Sequence, residues 1–215
     1  MPRVLIAVPT FENITPDTFK ALWDMDRGGD EVLFEFVRGY DCATARNRCA
    51  KKALELNADW LLMVDNDVTP PRDALANLLS HGVDAVSGFY MHRCTDTNAT
   101  TERTCVCKLA DAYGKPYFGY PPESEYTAAE LRAMRERGEN LVRIHGGGMG
   151  CFLVRTRVFD EMRYPWFAWL DFGEGVGMLS EDLYFCEALR NEGIPIHVDT
   201  RVSCGHLMRR VERVD

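Results

Sequence analysis

Residues 60–68 read Trp-Leu-Leu-Met-Val-Asp-Asn-Asp-Val. The first five residues of this stretch are apolar, which is typical of a strand buried on both faces of a parallel sheet. Asp65 and Asp67 follow at the end of that strand, and the Thr-Pro-Pro of residues 69–71 prevents the strand from continuing. Acidic side chains at such a strand end lie where open α/β sheets bind ligands. The stretch therefore predicts a ligand site, with a solvated turn as the simpler alternative.

The composition fits one α/β domain and argues against several functional classes. Of the 215 residues, 46% are hydrophobic and 27% are charged. A chain of this length and composition can form a hydrophobic core that needs no disulfide bond or structural metal for stability. The formal net charge of −8 argues against a broad nucleic-acid-binding face. No apolar run is long enough to cross a bilayer and no signal peptide is recognised, so a cytoplasmic location is expected.

Strand and helix patterns alternate along the first part of the chain. The predicted strands cover residues 4–8, 32–37, 60–64 and 85–91, and the predicted helices begin at Pro16, Asp41 and Arg72. Such alternation indicates βαβ units with right-handed crossovers, and hence an α/β fold with a parallel sheet.

The middle of the chain interrupts this alternation. Residues 93–140 contain a strand pattern at 105–109 and a highly charged helix at 127–137, but no regular alternation. They are expected to form an insertion over one rim of the sheet. Regular patterns return with strands at 151–154 and 194–198.

Several polar residues are expected at the ligand edge of the sheet. Pro9, Thr10 and Glu12 lie in the turn after the first strand, where exposed backbone amides and side chains can receive a base or a ribose. Arg46 and Asn47 lie one turn into a helix and can reach a nucleotide or a diphosphate. For these two residues a solvated helix face is the alternative interpretation.

Three residues form a candidate metal site. Asp65 and Asp67 flank Asn66, so both carboxylates can reach one divalent cation, directly or through water. His206 lies beyond the last predicted strand, beside a glycine that permits a tight turn. An imidazole beside carboxylates favours Mn²⁺ over Mg²⁺, whereas a late histidine on its own is more often a surface residue.

An acidic pair opens the last predicted helix. Glu181 and Asp182 follow Ser180, the expected N-cap residue, and acids are favoured there by the helix dipole alone. The functional interpretation is that one of the two is a general base, because a flexible Gly-rich and aromatic segment precedes them.

A second metal site is a weaker hypothesis. His92, Cys94, Cys105 and Cys107 have zinc-binding chemistry, but their spacing matches none of the common zinc knuckles.

Taken in order, these motifs resemble those of the GT-A glycosyltransferases, especially the family-2-like group. The motifs are a first strand ending in Pro9-Thr10, the helix segment Ala45-Arg46-Asn47, the hydrophobic-Asp-x-Asp of residues 64–67, the Gly-Gly-Met-Gly of residues 147–150, the Glu181-Asp182 pair and the late His206.

The resemblance implies the GT-A fold, a Rossmann-like and mostly parallel central sheet flanked by helices, with an inserted rim segment. It implies a single domain in which residues 1–92 form a nucleotide-binding half and residues 141–215 an acceptor and catalytic half, separated by the insertion at 93–140. The implied activity is metal-dependent transfer of a sugar from a nucleotide-diphospho-sugar donor to an acceptor hydroxyl.

The resemblance also implies roles for individual residues. Asp67 and His206 would hold Mn²⁺ or Mg²⁺, with Asp65 nearer the ribose or sugar. Asp182 would be the general base of an inverting enzyme, and Glu181 would contact the acceptor or support the loop. Donor contacts would come from Pro9, Thr10, Glu12, Arg46, Asn47, Asp65 and Asn66.

Two alternative functions remain open. Sugar-phosphate nucleotidyltransferases usually carry a Gly-rich loop with Arg and Lys directly after the first strand, where this chain has Pro-Thr-Phe-Glu-Asn at residues 9–13. A non-catalytic module that binds a nucleotide sugar without turnover is the other alternative.

Overall fold

The computed structural model describes residues 1–11, 13–92, 102–109, 124–173 and 177–207. Within these ranges the chain folds around a seven-stranded sheet. In order across the sheet, its strands are β2 (Glu31–Arg38), β1 (Arg3–Thr10), β3 (Trp60–Val64), β10 (Cys151–Arg155), β5 (Ala85–Phe89), β13 (Ile196–Ser203) and β8 (Leu141–Ile144).

Most strands of this sheet run in one direction. β1 pairs in parallel with both β2 and β3, and β13 pairs in parallel with β5. β10 lies between β3 and β5 and is antiparallel to both, and β8 is antiparallel to β13. The predicted α/β class with a mostly parallel central sheet is confirmed.

Helices flank the sheet, and shorter strands form smaller sheets beside it. The helices of the described residues are α1 (Pro16–Trp23), α2 (Cys42–Glu55), α3 (Ala74–Ser80), α4 (Ala128–Glu136), α5 (Val158–Glu161) and α6 (Glu181–Asn191). The short strands are β4 (Val68–Thr69) paired with β14 (Gly205–His206), β6 (Arg103–Cys107) paired with β7 (Glu125–Thr127) and β9 (Gly146–Gly147), and β11 (Leu170–Asp171) paired with β12 (Met178–Leu179). None of these helices combines the length and the apolar character that a membrane crossing requires.

β3 is the buried strand that the sequence predicts. All of its side chains are buried, and it lies between β1 and β10. The chain turns directly after the strand, where the N–H of Val68 donates to the carbonyl of Asp65 at 3.1 Å. The N–H of Asp65 donates to the carbonyl of Gly150 at 3.1 Å, which fixes the start of this turn. The two aspartates therefore emerge at the carboxyl edge of the sheet.

α2 begins beside the same edge. The carboxylate of Asp41 caps the helix by accepting the N–H of Thr44 at 2.9 Å. Gly39, two residues earlier, passes so close to the helix that an added Cβ would lie 2.5 Å from the backbone nitrogen of Ala45. Glycine at this position therefore allows the first turn of α2 to pack against the end of β2.

α6 begins at the predicted position, but its cap differs from the expected one. Ser180 occupies the N-cap position, yet its hydroxyl bonds to the carboxylate of Asp182 and to no backbone N–H of the helix. The expected side-chain cap is therefore wrong, because the neighbouring acid competes for the hydroxyl. The helix is held instead by its apolar face, where Phe185 and Leu189 are fully buried.

The described part of the insertion joins the core through β6. This strand begins two residues before the predicted 105–109 and pairs with β9, next to the glycine-rich run. The glycines are required there, since a Cβ on Gly148 would lie 2.2 Å from the hydroxyl oxygen of Tyr90. The division into two functional halves and an insertion stays a prediction.

The described residues give no support to a zinc site in the insertion. No three His, Cys, Asp or Glu side chains of the described residues form a group placed to hold a metal there. Burial raises the pKa of Cys105 to about 12. Burial raises the pKa of Cys107 as well. His92 contacts the carboxylate of Glu125 at 3.1 Å, and Cys94 lies outside the described residues.

Candidate active site

A cavity of about 460 Å³ opens at the carboxyl ends of β1, β2 and β3. Its volume lies in the range of small-molecule and cofactor sites, and its place is the one where open α/β sheets bind ligands. The residues lining it are Pro9, Thr10, Phe11, Gly39, Tyr40, Asp41, Cys42, Ala45, Arg46, Asp65, Asn66, Asp67 and His206.

The cavity brings together most of the residues that the sequence assigns to the donor and the metal. These are Pro9, Thr10, Arg46, Asp65, Asn66, Asp67 and His206. Asn47, Glu181 and Asp182 are not among the lining residues. Glu12 lies outside the described residues, so its assignment stays a prediction.

The Asn66 side chain ties together the loops that follow β1 and β3. Its Nδ2 donates to the backbone carbonyl of Asn13 at 2.7 Å, and the backbone carbonyl of Asn66 accepts the N–H of Thr15 at 3.0 Å. The hydroxyl of Thr10 donates to the same Asn13 carbonyl at 3.0 Å. These bonds hold one wall of the cavity in a fixed arrangement, so Asn66 has a structural role in the site.

The pairing of β14 with β4 carries His206 to Asp67. His206 lies opposite Val68, and the N–H of Leu207 donates to the carbonyl of Asp67 at 2.9 Å. The imidazole Nε2 lies 3.8 Å from Oδ1 of Asp67, while Nδ1 lies 2.8 Å from the carbonyl oxygen of Met91. A carbonyl only accepts, so Nδ1 carries the proton and the Nε2 of a neutral ring presents its lone pair.

Two members of the predicted metal site lie side by side, and the third is engaged elsewhere. No three His, Cys, Asp or Glu side chains of the described residues form a group placed to hold a metal. The carboxylate of Asp65 is turned to Arg46, with Oδ1 and Oδ2 at 3.0 and 3.2 Å from Nη2. Asp67 and His206 by themselves fit a Mn²⁺ or Mg²⁺ ion that keeps water or substrate oxygens as further ligands.

Arg46 connects the end of β3 to the start of α6. Arg46 is only 4% exposed, and its Nε donates to Oε1 of Glu181 at 3.1 Å. Burial lowers the pKa of Arg46, but the attraction of Asp65 and Glu181 outweighs it, so the pKa is raised and the charge is permanent. Burial raises the pKa of Glu181, an effect that Arg46 opposes.

Glu181 and Asp182 have different surroundings within the first turn of α6. Glu181 is 5% exposed and paired with Arg46, whereas the carboxylate of Asp182 is partly exposed. Oδ1 of Asp182 accepts the N–H of Leu183 at 2.8 Å as well as the Ser180 hydroxyl. Of the two acids, Asp182 is the more exposed.

Asn47 is used inside the protein. Its Nδ2 donates to the carbonyls of Ala43 at 2.9 Å and Phe167 at 2.7 Å, and its Oδ1 accepts the N–H of Trp166 at 3.1 Å. This amide therefore anchors the aromatic segment that precedes α6 and does not reach the cavity. Its partner Phe167 is 120 residues away in sequence, so the local pattern gives no sign of this role.

The loop after β2 contributes residues that the sequence analysis does not assign to the site. Tyr40 and Asp41 line the cavity mouth, and Tyr40 is 85% exposed. Phe11, on the loop after β1, is 66% exposed and lines the same mouth. The parallel register that pairs Thr10 with Arg38 brings the two aromatic residues to neighbouring strand ends. Phe11 and Tyr40 each lie three residues after a predicted strand, and an aromatic residue in such a loop is the signal that points to them.

Comparisons with known proteins give structural but no sequence relatives. No protein-family model matches the chain, and no curated protein is significantly similar in sequence. A197 from STIV is similar with a TM-score of 0.60 and 16% identity, over 96% of this chain and 86% of that one. GalNAc-T7, solved with UDP, GalNAc and Mn²⁺, is similar with a TM-score of 0.54 and 13% identity.

The S. aureus TarS 1–349 structure, solved with UDP-GlcNAc, is similar with a TM-score of 0.50 and 14% identity. The matches cover 97% of this chain against GalNAc-T7 and 98% against TarS, but only 44% and 60% of those two chains. With the seven-stranded sheet and its flanking helices, these similarities confirm that the chain has the GT-A fold.

Proposed function

We propose that this protein is a metal-dependent glycosyltransferase that moves a sugar from a nucleotide-diphospho-sugar to an acceptor hydroxyl. The observation that carries the proposal is the cavity at the carboxyl edge of the sheet, where the Asp67–His206 pair meets the loops after β1, β2 and β3. The acids, the imidazole and the aromatic rings of this cavity match the parts of one ligand: a base, a metal-bound diphosphate and a sugar.

The nucleoside is assigned to the mouth of the cavity. Phe11 and Tyr40 expose their rings there, and stacking of a base on an aromatic ring contributes roughly 1–3 kcal/mol. Pro9 and Thr10 form the wall beside them. Asp65 lies deeper, where its exposed edge faces the ribose or the sugar.

The diphosphate is assigned to Asp67 and His206. A Mn²⁺ ion, favoured over Mg²⁺ by the imidazole, would be held by these two side chains, and it supplies positive charge against the charge that grows on the leaving diphosphate. The contact of Nδ1 with Met91 orients the ring for this task, as a backbone partner does for most metal-binding histidines.

Asp182 is assigned as the general base of an inverting reaction. It takes the proton from the acceptor hydroxyl while that oxygen bonds to the anomeric carbon and the bond from this carbon to the diphosphate oxygen breaks. Glu181 does not compete for this role, because its carboxylate is buried against Arg46. The base therefore approaches the sugar from the α6 side of the site.

A UDP-sugar is the proposed donor. The GalNAc-T7 structure contains UDP and GalNAc, and the TarS structure contains UDP-GlcNAc, so these two proteins of the same fold bind uridine nucleotides. The loop after β1 also favours sugar transfer over nucleotidyl transfer, since residues 9–11 and Asn13 include no Arg or Lys.

Product analysis tests the proposal. The purified protein is incubated with Mn²⁺ and UDP-GlcNAc or UDP-GalNAc, and water takes the place of the acceptor hydroxyl. The nucleotides are then separated by ion-exchange chromatography. The proposal predicts slow release of UDP and free sugar. A nucleotidyltransferase would instead form UTP and sugar phosphate when pyrophosphate is added, and a non-catalytic module would bind the donor and leave it intact.

A further inference from the structure

Arg46 makes the contacts that join the two proposed halves of the reaction centre. From α2, its Nη2 reaches the carboxylate of Asp65 at 3.0 Å, and its Nε reaches Glu181 at 3.1 Å. Asp65 lies 19 residues away in sequence and Glu181 lies 135 residues away, so the bridge is purely tertiary.

The geometry of the guanidinium makes this a directional link. Its nitrogens lie in one rigid plane, so two carboxylates bonded to it are fixed in distance and in orientation. Arg46 and Glu181 are both almost fully buried, and a buried ion pair that loses one partner leaves an uncompensated charge. The link is therefore hard to break while the protein stays folded.

Each carboxylate of the bridge lies next to a residue with a proposed role in the reaction. Glu181 directly precedes Asp182, the proposed base, and Asp65 lies two residues before Asp67, the proposed metal ligand. A shift in either carboxylate would change the separation between the base and the donor's diphosphate. The bridge thus sets the distance over which the acceptor oxygen must approach the sugar.

The same contacts occupy two of the three guanidinium nitrogens of Arg46. Nε and Nη2 are both engaged, and Nη1 is buried without a hydrogen-bond partner among the described residues. Arg46 lines the cavity, but its Nη1 is buried, so a nucleotide could reach this nitrogen only after the residues that cover it move. The carboxylates of Asp65 and Glu181 are therefore the partners of this side chain.

We infer that Arg46 is a positioning residue, which holds the α6 turn that carries Asp182 in register with the β3 end that carries Asp67, and that it is not a nucleotide ligand. This inference rests on the proposed function. It reassigns Arg46 from a donor contact, as the sequence suggests, to a strut between the donor and acceptor sides. Glu181 becomes its partner in positioning and has no contact with the acceptor.

The test is a separation of binding from turnover in Glu181→Gln, which keeps the shape of the side chain and removes its charge. We expect the Kd for UDP in Mn²⁺ to stay within about twofold of wild type, because the uridine and diphosphate contacts are untouched. We expect kcat for UDP release to fall roughly 100-fold, the effect of a misplacement of about 1 Å. The matched control is Glu35→Gln, which breaks the Glu35–Lys52 pair between β2 and the outer face of α2 and should change neither quantity.

Arg46→Lys is a second, independent test of the inference, and it is sufficient by itself if Glu181→Gln does not fold. It keeps the positive charge but loses the planar fork, so the same fall in kcat with unchanged UDP affinity is expected. The inference is overturned if UDP affinity falls tenfold or more while kcat is retained, or if both variants turn over like wild type. The wild-type protein is measured before the variants. If it neither binds UDP nor releases UDP from a UDP-sugar, the proposed function itself is refuted.

Discussion

The imidazole of His206 is oriented by the protein itself. Nδ1 is tied to the carbonyl of Met91 at 2.8 Å, and the ring of Tyr90 packs edge-on at a centroid distance of 5.1 Å. Two such constraints fix the direction of Nε2 toward Asp67. A histidine that is merely a surface residue has no need of this support. The orientation of the ring is therefore a reason for assigning the proposed metal to Asp67 and His206.

Asp67→Asn removes one negative charge from the site and preserves its shape. We expect the affinity for Mn²⁺ in the presence of UDP to fall on the order of 100-fold or more, because even outer-sphere partners of metal ligands contribute 10–100-fold. Electron paramagnetic resonance of free Mn²⁺ measures this directly. The matched control is Asp73→Asn, whose exposed carboxylate makes no capping bond to α3 and should leave Mn²⁺ binding unchanged. Equal affinity in both variants would remove Asp67 from the metal site.

Asp182→Asn keeps both hydrogen bonds that Oδ1 accepts in the first turn of α6, from Ser180 and from Leu183. The fold and the UDP affinity should therefore be preserved. Release of UDP from a UDP-sugar should fall by roughly 10²- to 10⁴-fold, the usual contribution of a general base. Calorimetry for binding and chromatography for product measure the two effects separately. Undiminished release would show that another group accepts the proton.

At the scale of the elements, α2 organises the site by its inner face. Arg46 and Asn47 are adjacent on this helix, but the first bridges two carboxylates and the second anchors the backbone at Trp166 and Phe167. The Ala-Arg-Asn segment thus fixes the position of α6 and of the aromatic segment before it. Its value to the site lies mainly in placing other elements.

Asn47→Ala should therefore destabilise the fold and leave donor binding intact. The change leaves the backbone groups of Phe167 and Trp166 unsatisfied in the interior, at a cost of about 2 kcal/mol in unfolding free energy. Urea unfolding measures this loss, and UDP titration measures the affinity. Asn191→Ala, at the exposed end of α6, is the control and should change neither. A loss of UDP affinity without a loss of stability would instead make Asn47 a donor ligand.

The helix ends show what local sequence can and cannot predict. α1 begins at Pro16, as predicted, and Thr15 caps it, because both signals act within a few residues. The nearest glycine stop signal in the sequence, Gly28-Gly29, predicts a longer helix, but α1 ends at Trp23. The N–H of Asp26 donates to the carbonyl of Arg72 at 2.8 Å, and this distant partner draws the chain away from the helix axis.

At the scale of the molecule, the buried strand β3 and the alternation of the first half were sufficient to predict the mostly parallel sheet. Ligand binding at its carboxyl edge stays a prediction. The sequence did not reveal that β10 enters between β3 and β5 in the opposite direction, because an apolar strand has no sign of its direction. It also did not reveal the pairing of Arg46 with Glu181, since the partners are 135 residues apart. Sequence reasoning named seven of the residues that line the cavity, but neither Tyr40 nor Asp41, and it did not show the contacts between these residues.

The acid stability of the whole molecule should depend on Asp199, a fully buried residue of β13. Burial raises the pKa of Asp199, but hydrogen bonds from Arg201 and His81 outweigh it, so the pKa lies below the ordinary value of 3.8. A carboxyl group with a lowered folded-state pKa stabilises the protein at any pH above its ordinary value. That contribution is lost as the pH falls through the lowered folded-state pKa.

Asp199→Asn should accordingly lower the unfolding free energy by about 2 kcal/mol at pH 7, the value of hydrogen bonds to a charged group. The difference from wild type should shrink as the pH falls below the ordinary value of 3.8. Urea unfolding at a series of pH values measures both curves. Asp160→Asn, at an exposed position of α5, should run parallel to wild type throughout. A pH-independent difference for Asp199→Asn would refute this account.

The most direct test of the central claim is thermal unfolding of the wild-type protein with UDP, in Mn²⁺ and in EDTA. If the cavity binds a metal-bound nucleotide diphosphate, UDP at a hundredfold excess over its Kd should stabilise the Mn²⁺ sample by about 2.7 kcal/mol. The EDTA sample should show little or no shift, and GDP and ADP serve as controls for the base. An equal shift in EDTA, or no shift with any nucleotide diphosphate in Mn²⁺, would contradict the proposed site.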